Sequence, residues 1–322
     1  MLTLQSIFRA RRPVAELALR TPLTPCPALS GEGRQVRLKL ETVQPTGAFK
    51  IRGAANALAA LTPAQAERGV VCASTGNHGR ALSHAAAARG IPAIVCMSSL
   101  VPENKRQAIS DLGAEIRIVG NSQDDAQQEV DHLVQSLGMN EIPPFDHPDI
   151  IAGQGTIGLE IMEDWPEVDT VLVPLSGGGL IGGAALAVKS ISPHIRVVGI
   201  SMERGAAMQA SLAAGKPVAV PEEPSLADSL GGGIGLRNRH TFSLARDLVD
   251  EIILLSEADI AAGMRHLYHH HGLVTEGAAA VGVAALVTGK VASTGPNIAA
   301  VISGRNVDPV QFGKVLTGTL PA

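Results

Sequence analysis

Three polar loops in this 322-residue chain hold the residue types that chemistry needs, and two of them directly follow short apolar runs. Lys50 lies within Gln44-Pro45-Thr46-Gly47-Ala48-Phe49-Lys50-Ile51-Arg52-Gly53-Ala54, flanked by Phe49 and by small residues. An amine held among such neighbours is desolvated, which lowers its pKa and makes it nucleophilic near neutral pH. Taken alone, Lys50 would be one more solvated surface lysine. Ser74-Thr75-Gly76-Asn77-His78-Gly79 gathers hydroxyl and amide side chains at an expected helix start, where unpaired N–H groups favour a carboxylate. An ordinary helix cap needs only one such side chain. Ser176-Gly177-Gly178-Gly179-Leu180 follows Val171-Leu172-Val173-Pro174-Leu175 and opens an alanine-rich stretch. Successive glycines let backbone N–H groups turn toward one point at the positive end of a helix dipole, an arrangement suited to phosphate. The plainer alternative is a tight strand-to-helix turn with no ligand. No Gly-Lys-Ser/Thr ending follows, which disfavours a nucleotide triphosphate.

The same glycines formally spell GxGxxG from Gly177 to Gly182, and Glu203 follows where a ribose-binding acid would lie. On that motif alone the chain would be an NAD-dependent oxidoreductase. That reading accounts for one loop and leaves the other two unexplained.

The elements that must position these loops form a regular rhythm. Apolar runs at 70–73, 93–96, 116–119, 171–173, 197–200, 252–255 and 298–302 alternate with alanine-rich helical stretches, the pattern of mainly parallel α/β sheets flanked by helices. Thr62-Pro63-Ala64-Gln65 and Ser256-Glu257-Ala258-Asp259 supply caps that start helices. The polar stretch 121–129 and the proline-rich segment 142–148 mark the best boundaries between two lobes, whose cleft would receive a ligand at the carboxyl ends of strands.

Composition narrows the classes further. Apolar residues make up 45% of the chain and 26 Lys+Arg stand against 30 Asp+Glu, so no basic field exists to hold nucleic acid. With 5 Phe, 1 Trp and 1 Tyr, base-stacking platforms are not expected, whereas 35 Gly fit close backbone approach to a small molecule. The uncharged stretch 171–188 is broken by Pro174 and five glycines, so a membrane span is not expected, and Arg9, Arg11 and Arg12 precede no secretory apolar core. Cys26, Cys72 and Cys96 are widely spaced, which suits buried structural thiols in a cytoplasmic protein. His266 and His270 share a helix face, with His269 and His271 adjacent, but no HExxH glutamate accompanies them; as helix-end dipole partners they give no metal site.

Pro45-Thr46-Gly47-Ala48-Phe49-Lys50-Ile51-Arg52-Gly53-Ala54, Ser74-Thr75-Gly76-Asn77-His78-Gly79, Ala152-Gly153-Gln154-Gly155-Thr156, Ser176-Gly177-Gly178-Gly179-Leu180 and Ser303-Gly304-Arg305-Asn306 occur in the order and spacing of one family. Over nearly its whole length the chain resembles the fold type II pyridoxal-phosphate enzymes of the serine/threonine dehydratase and serine racemase family. Its Gly-Ala-Phe-Lys and Ser-Thr-Gly-Asn-His-Gly-Arg wording is most similar to the dehydratases of hydroxyectoine utilisation. The resemblance implies a tryptophan synthase β-like fold, with a large cofactor-binding domain from residues 1–69 and 148–322, a small domain from 70–147, and a homodimer.

It also implies roles. Lys50 would hold pyridoxal 5′-phosphate as an imine and move the substrate's Cα proton, Phe49 would pack by the ring, and Asn77 would bond the 3′ oxygen. Gly177, Gly178, Gly179 and Leu180 would hold the phosphate, Ser303 would face the ring nitrogen, and Glu276 would lie near the cofactor. Ser74, Thr75, Gly76, Asn77 and His78 would clamp the substrate carboxylate, with Gln154 also on the substrate side. The implied reaction is β-elimination of water from a β-hydroxy amino acid, giving a 2-oxo acid and ammonia. Racemisation is the alternative, because Thr75 stands where serine racemases carry the serine that protonates the opposite face. Ala48 and Arg305 depart from the family wording, which leaves the substrate open among threonine, serine, a hydroxyaspartate and a hydroxyectoine-derived hydroxy amino acid. Ser201 and Ala207 stand where metal-dependent relatives have carboxylates, so no divalent cation is expected there.

Overall fold

The computed structural model describes residues 2–74, 76–101, 103–291 and 295–318, with backbone only at 104 and 105. Its strands, in chain order, are β1 (Leu23–Pro25), β2 (Gln35–Leu40), β3 (Val70–Ala73), β4 (Ala93–Met97), β5 (Glu115–Ile118), β6 (Asn140–Glu141), β7 (Thr170–Pro174), β8 (Arg196–Met202), β9 (Glu251–Leu255) and β10 (Asn297–Ile302). All seven apolar runs of the sequence are among them. They form a six-stranded sheet, β1-β2-β10-β7-β8-β9, and a four-stranded sheet, β5-β4-β3-β6. Every pairing is parallel except β1 with β2. Parallel strands carry helices on both faces, which is why β3 and β7 are buried along their full length and consist of continuous apolar runs.

β1, β2 and β6 were not expected from the sequence. In β2 the reason is Arg37 and Lys39, which give Gln35-Val36-Arg37-Leu38-Lys39-Leu40 the look of a surface loop. Yet Lys39 is fully buried: its Nζ lies 2.6 Å from Glu160 and donates to the Thr21 carbonyl at 2.6 Å. Arg37 stacks 4.1 Å above the Trp165 ring. Both charges are compatible with a central strand because each has a partner.

The stretch 121–129 is not a boundary. Ser122 and Asp125 cap each other reciprocally at the start of the helix Gln123–Leu137, and Ala126, Val130 and Leu133 bury one face of it. The caps expected at Thr62/Gln65 and Ser256/Asp259 are both formed. The segment 142–148 does connect two elements, β6 and the helix Pro148–Asp164. Among the described residues no helix is long and apolar enough to cross a membrane.

Two of the three chemistry-bearing loops leave the carboxyl ends of parallel strands, Ser74 after β3 and Ser176 after β7, and the Ser303 motif leaves β10 in the same way. The helix Lys50–Ala59 is fastened from beneath by Arg52, whose fully buried guanidinium grips two carboxylates. It donates to both oxygens of Glu41 at 2.8 Å and to the two oxygens of Glu160 at 2.6 and 2.9 Å. Lys50 is therefore two residues from a rigid anchor.

Candidate active site

A cavity of about 380 Å³ opens between the two sheets, within the usual range for small-molecule sites. It brings together Phe49, Lys50, Ser74, Gly76, Asn77, His78, Gly177, Gly178, Gly179, Leu180, Glu276 and Ser303. Thr75 falls outside the described residues.

Lys50 opens its helix, with Phe49 at the preceding cap position. Its Nζ donates to the Pro144 carbonyl at 2.7 Å and lies 5.3 Å from the centre of the Phe49 ring. Burial pulls its pKa down to about 8, although the negative charge of Glu276 works in the other direction. The amine thus has a large neutral fraction just above neutrality, the condition for attack on a carbonyl carbon.

Opposite Lys50, Asn77 Nδ2 donates to both oxygens of Glu276, at 2.9 and 3.0 Å, while Asn77 Oδ1 accepts from Asn306 Nδ2 at 2.6 Å. Asn306 in turn donates to the Thr46 carbonyl. This chain ties the first residue of the helix Asn77–Arg89 to the loops after β2 and β10. Close backbone approach is required here: a Cβ on Gly304 would come within 2.7 Å of Glu276 Oε1 and 3.0 Å of Ala48 Cβ. Ser303 is buried on the cavity wall, and its carbonyl accepts the Phe49 N–H at 3.0 Å, fixing the lysine loop to the end of β10.

Two helix N-termini, each with glycine at the cap position, contribute to the cavity wall. One begins at Asn77, after Gly76. Ser74 Oγ accepts the Gly79 N–H at 3.1 Å, so it shapes the loop. His78 donates from Nε2 to the Ile142 carbonyl at 2.7 Å, and burial, aided by the Lys50 charge, pushes its pKa down to about 3, so it is neutral. The other helix, Gly179–Ile191, begins after Gly178 at φ +90°, a left-handed conformation that side chains disfavour. A Cβ there would also meet Met208 and Thr241 within 2.9 Å, and one on Gly177 would overlap the Phe145 ring. No side chain fits at either of these cavity-lining positions.

Gln154 departs from its expected place. It lies in the helix Pro148–Asp164, buried against Gly53, and is not on the cavity wall; its amide atoms have no hydrogen-bond partner among the described residues. The helix turns that face of Gln154 toward the Lys50 helix, so it supports that helix from behind. Arg305 is exposed and also off the wall, with its N–H bound to the Gly47 carbonyl. Glu203, the acid that a dinucleotide would require, is exposed beside Lys290 and does not reach the cavity. Arg80, Asn306, Pro144 and Phe145 also line the cavity, and residue-type reasoning assigns none of them an individual role. Asn306 was visible as the end of a quoted motif; Pro144 acts through its carbonyl, which no residue-type argument singles out.

The pieces fit a phosphorylated aromatic aldehyde: a desolvated lysine, an uncapped glycine-led helix start for the phosphate, and polar groups between them. Comparisons with known proteins agree. The family model for pyridoxal-phosphate dependent enzymes matches residues 14–304. A putative threonine dehydratase of Sinorhizobium fredii is 56% identical over 322 residues, all of this chain and 97% of that protein. The L-threonine ammonia-lyase of Thermotoga maritima is 41% identical, covering 98% of this chain and 78% of its own length. Among solved structures, maize serine racemase superposes with a TM-score of 0.91 at 34% identity, covering 98% and 97% of the two chains.

Proposed function

From the premise that the chain belongs to the pyridoxal-phosphate dependent enzymes, we propose that it is a dehydratase, an ammonia-lyase that eliminates water from a β-hydroxy amino acid. The products are a 2-oxo acid and ammonia. The observation that carries this reading is the convergence of Lys50, the Asn77–Glu276 pair and the Gly177–Gly179 helix start on one cavity.

When bound, the cofactor supplies an electron sink that acidifies the substrate's Cα–H bond. The protein supplies everything else. The backbone N–H groups of Gly177, Gly178, Gly179 and Leu180 would hold the phosphate, at the start of the helix Gly179–Ile191. Ser303, on the cavity wall, would face the ring nitrogen, and a neutral hydroxyl there would favour elimination over transamination. Asn77, held in place by Glu276 and Asn306, would bond the 3′ oxygen. Ser74, Thr75, Gly76 and the N–H groups of Asn77 and His78 receive the substrate carboxylate. Lys50 Nζ, once released from the Pro144 carbonyl, takes the Cα proton and is placed to return it to the leaving hydroxyl. The water lost at Cβ is balanced by the water that hydrolyses the released imine.

We further propose a hydroxyectoine-derived hydroxy amino acid as the substrate. Glu222 and Asp228 stand on the cavity wall and offer acceptors for N–H groups beyond the α-amine, which threonine lacks. The two-domain division at 70–147 and the homodimer rest on the family resemblance, and sedimentation tests the latter. Three free buried cysteines support a cytoplasmic setting. The deciding experiment is a panel of β-hydroxy amino acids scored for ammonia and 2-oxo acid release, alongside borohydride trapping of the cofactor on Lys50. Tight NADH binding with no trapped lysine would overturn the reading.

A further inference from the structure

None of Cys26, His266 and His271 lines the cavity, and each offers a ligand atom within 4.8 Å of the other two. Cys26 is wholly buried just after β1, and its Sγ lies 3.1 Å from His271 Nε2. His271 is the last residue of the helix Glu257–His271, and His266 lies five residues before it on the same helix. His266 Nε2 is buried with no hydrogen-bond partner among the described residues. Buried polar atoms are nearly always satisfied, so an orphan nitrogen beside a thiol–imidazole pair calls for an explanation.

We propose that these three side chains form a zinc site, independent of the dehydratase reaction, that clamps the segment after β1 to the end of the Glu257–His271 helix. One thiolate with two imidazoles is a donor set suited to zinc. With Zn–S of about 2.3 Å and Zn–N of about 2.0–2.1 Å, tetrahedral ligand atoms stand roughly 3.3–3.6 Å apart. The Cys26–His271 pair is already near that spacing, so closure requires a modest swing of the His266 ring. Water takes the fourth position. Burial, with the charges of His270 and His271 adding to it, pushes the His266 pKa down to about 4, and burial lowers that of His271 as well. Both shifts favour neutral imidazole, the form that binds a metal. Burial holds the Cys26 thiol protonated, so each bound Zn²⁺ expels that one proton as the S–Zn bond forms.

The test uses untagged holoenzyme, stripped by a chelator and titrated with Co²⁺. One equivalent should produce the near-ultraviolet sulfur-to-cobalt charge-transfer band and the visible bands of a tetrahedral ion, both abolished by equimolar Zn²⁺. Cys26→Ala and His271→Gln should each lose the band while keeping the wild-type far-ultraviolet circular dichroism, which shows that the variants are folded. Uptake without a charge-transfer band would mean that exposed His269 and His270 bind the metal through imidazole alone, and would overturn the proposal. So would a band that survives Cys26→Ala, or no band at one equivalent. The readout is metal binding, so a failed substrate panel leaves it untouched.

Discussion

Replacing Arg52 tests whether the lysine loop is held by its buried charges. The guanidinium makes four bonds to two carboxylates, Glu41 and Glu160, and donates as well to Thr156 Oγ1 at 3.1 Å. Arg52 and Glu41 are fully buried, and Arg52 with Lys39 balances Glu41 with Glu160. Arg52→Met keeps the stem's volume and leaves one buried negative charge uncompensated, which costs about 3–5 kcal/mol. Arg52→Lys should recover little, since an ammonium cannot grip two carboxylates with a fork. Arg52→Met combined with Glu41→Leu restores the local charge balance with apolar groups and should recover at least half of the loss. Urea denaturation of the three variants measures this. The pH dependence follows from Glu160: burial disfavours its ionisation, but the hydrogen bond and charge of Arg52, and then Lys39, outweigh burial and hold its pKa below the usual value. A depressed carboxylate contributes stability above its unfolded pKa of about 4.3 and loses it as pH falls through the folded value. The gap between wild type and Arg52→Met should therefore narrow below about pH 4. A loss under about 1 kcal/mol at neutral pH would put Arg52 in the class of exposed ion pairs and refute the anchor.

Pulse acylation of the cofactor-free protein, followed by peptide mass spectrometry, should show Lys50 labelled half-maximally near its depressed pKa of about 8, whereas exposed lysines follow near about 10.4; equal profiles would contradict the desolvation argument. Gly178→Ala forces a left-handed residue, costing about 1–2 kcal/mol, in addition to contact with Met208 and Thr241. Cofactor affinity read by absorbance titration should fall about tenfold or more, and unchanged affinity would remove Gly178 from the cradle. Thr75→Ala should reduce any racemisation far more than dehydration of an L-substrate, because inversion needs an acid on the face that Lys50 does not serve. Chiral analysis of recovered substrate decides this, and equal losses would assign Thr75 to carboxylate positioning.

What the sequence made legible, and what it hid, follows a physical line. Strands β3, β4, β7, β8 and β10 could be read directly, because a strand buried on both faces must be a continuous apolar run. The loops after three of them could be read because backbone approach and helix-end chemistry demand glycine and small polar residues locally. Reading failed where a residue's role depends on a distant partner. Arg37 and Lys39 looked like loop charges because Trp165 and Glu160, which make them strand residues, lie more than 120 positions away. Gln154 has a side chain that could serve a substrate, and only the rotation of its helix turns it onto Gly53. Cys26 looked inert and the histidines looked like helix-end partners for the same reason: 245 positions separate Cys26 from His271. Local chemistry is thus recoverable from spacing wherever one loop does one job, whereas ion networks and metal sites assembled across a sheet carry no local signature at all.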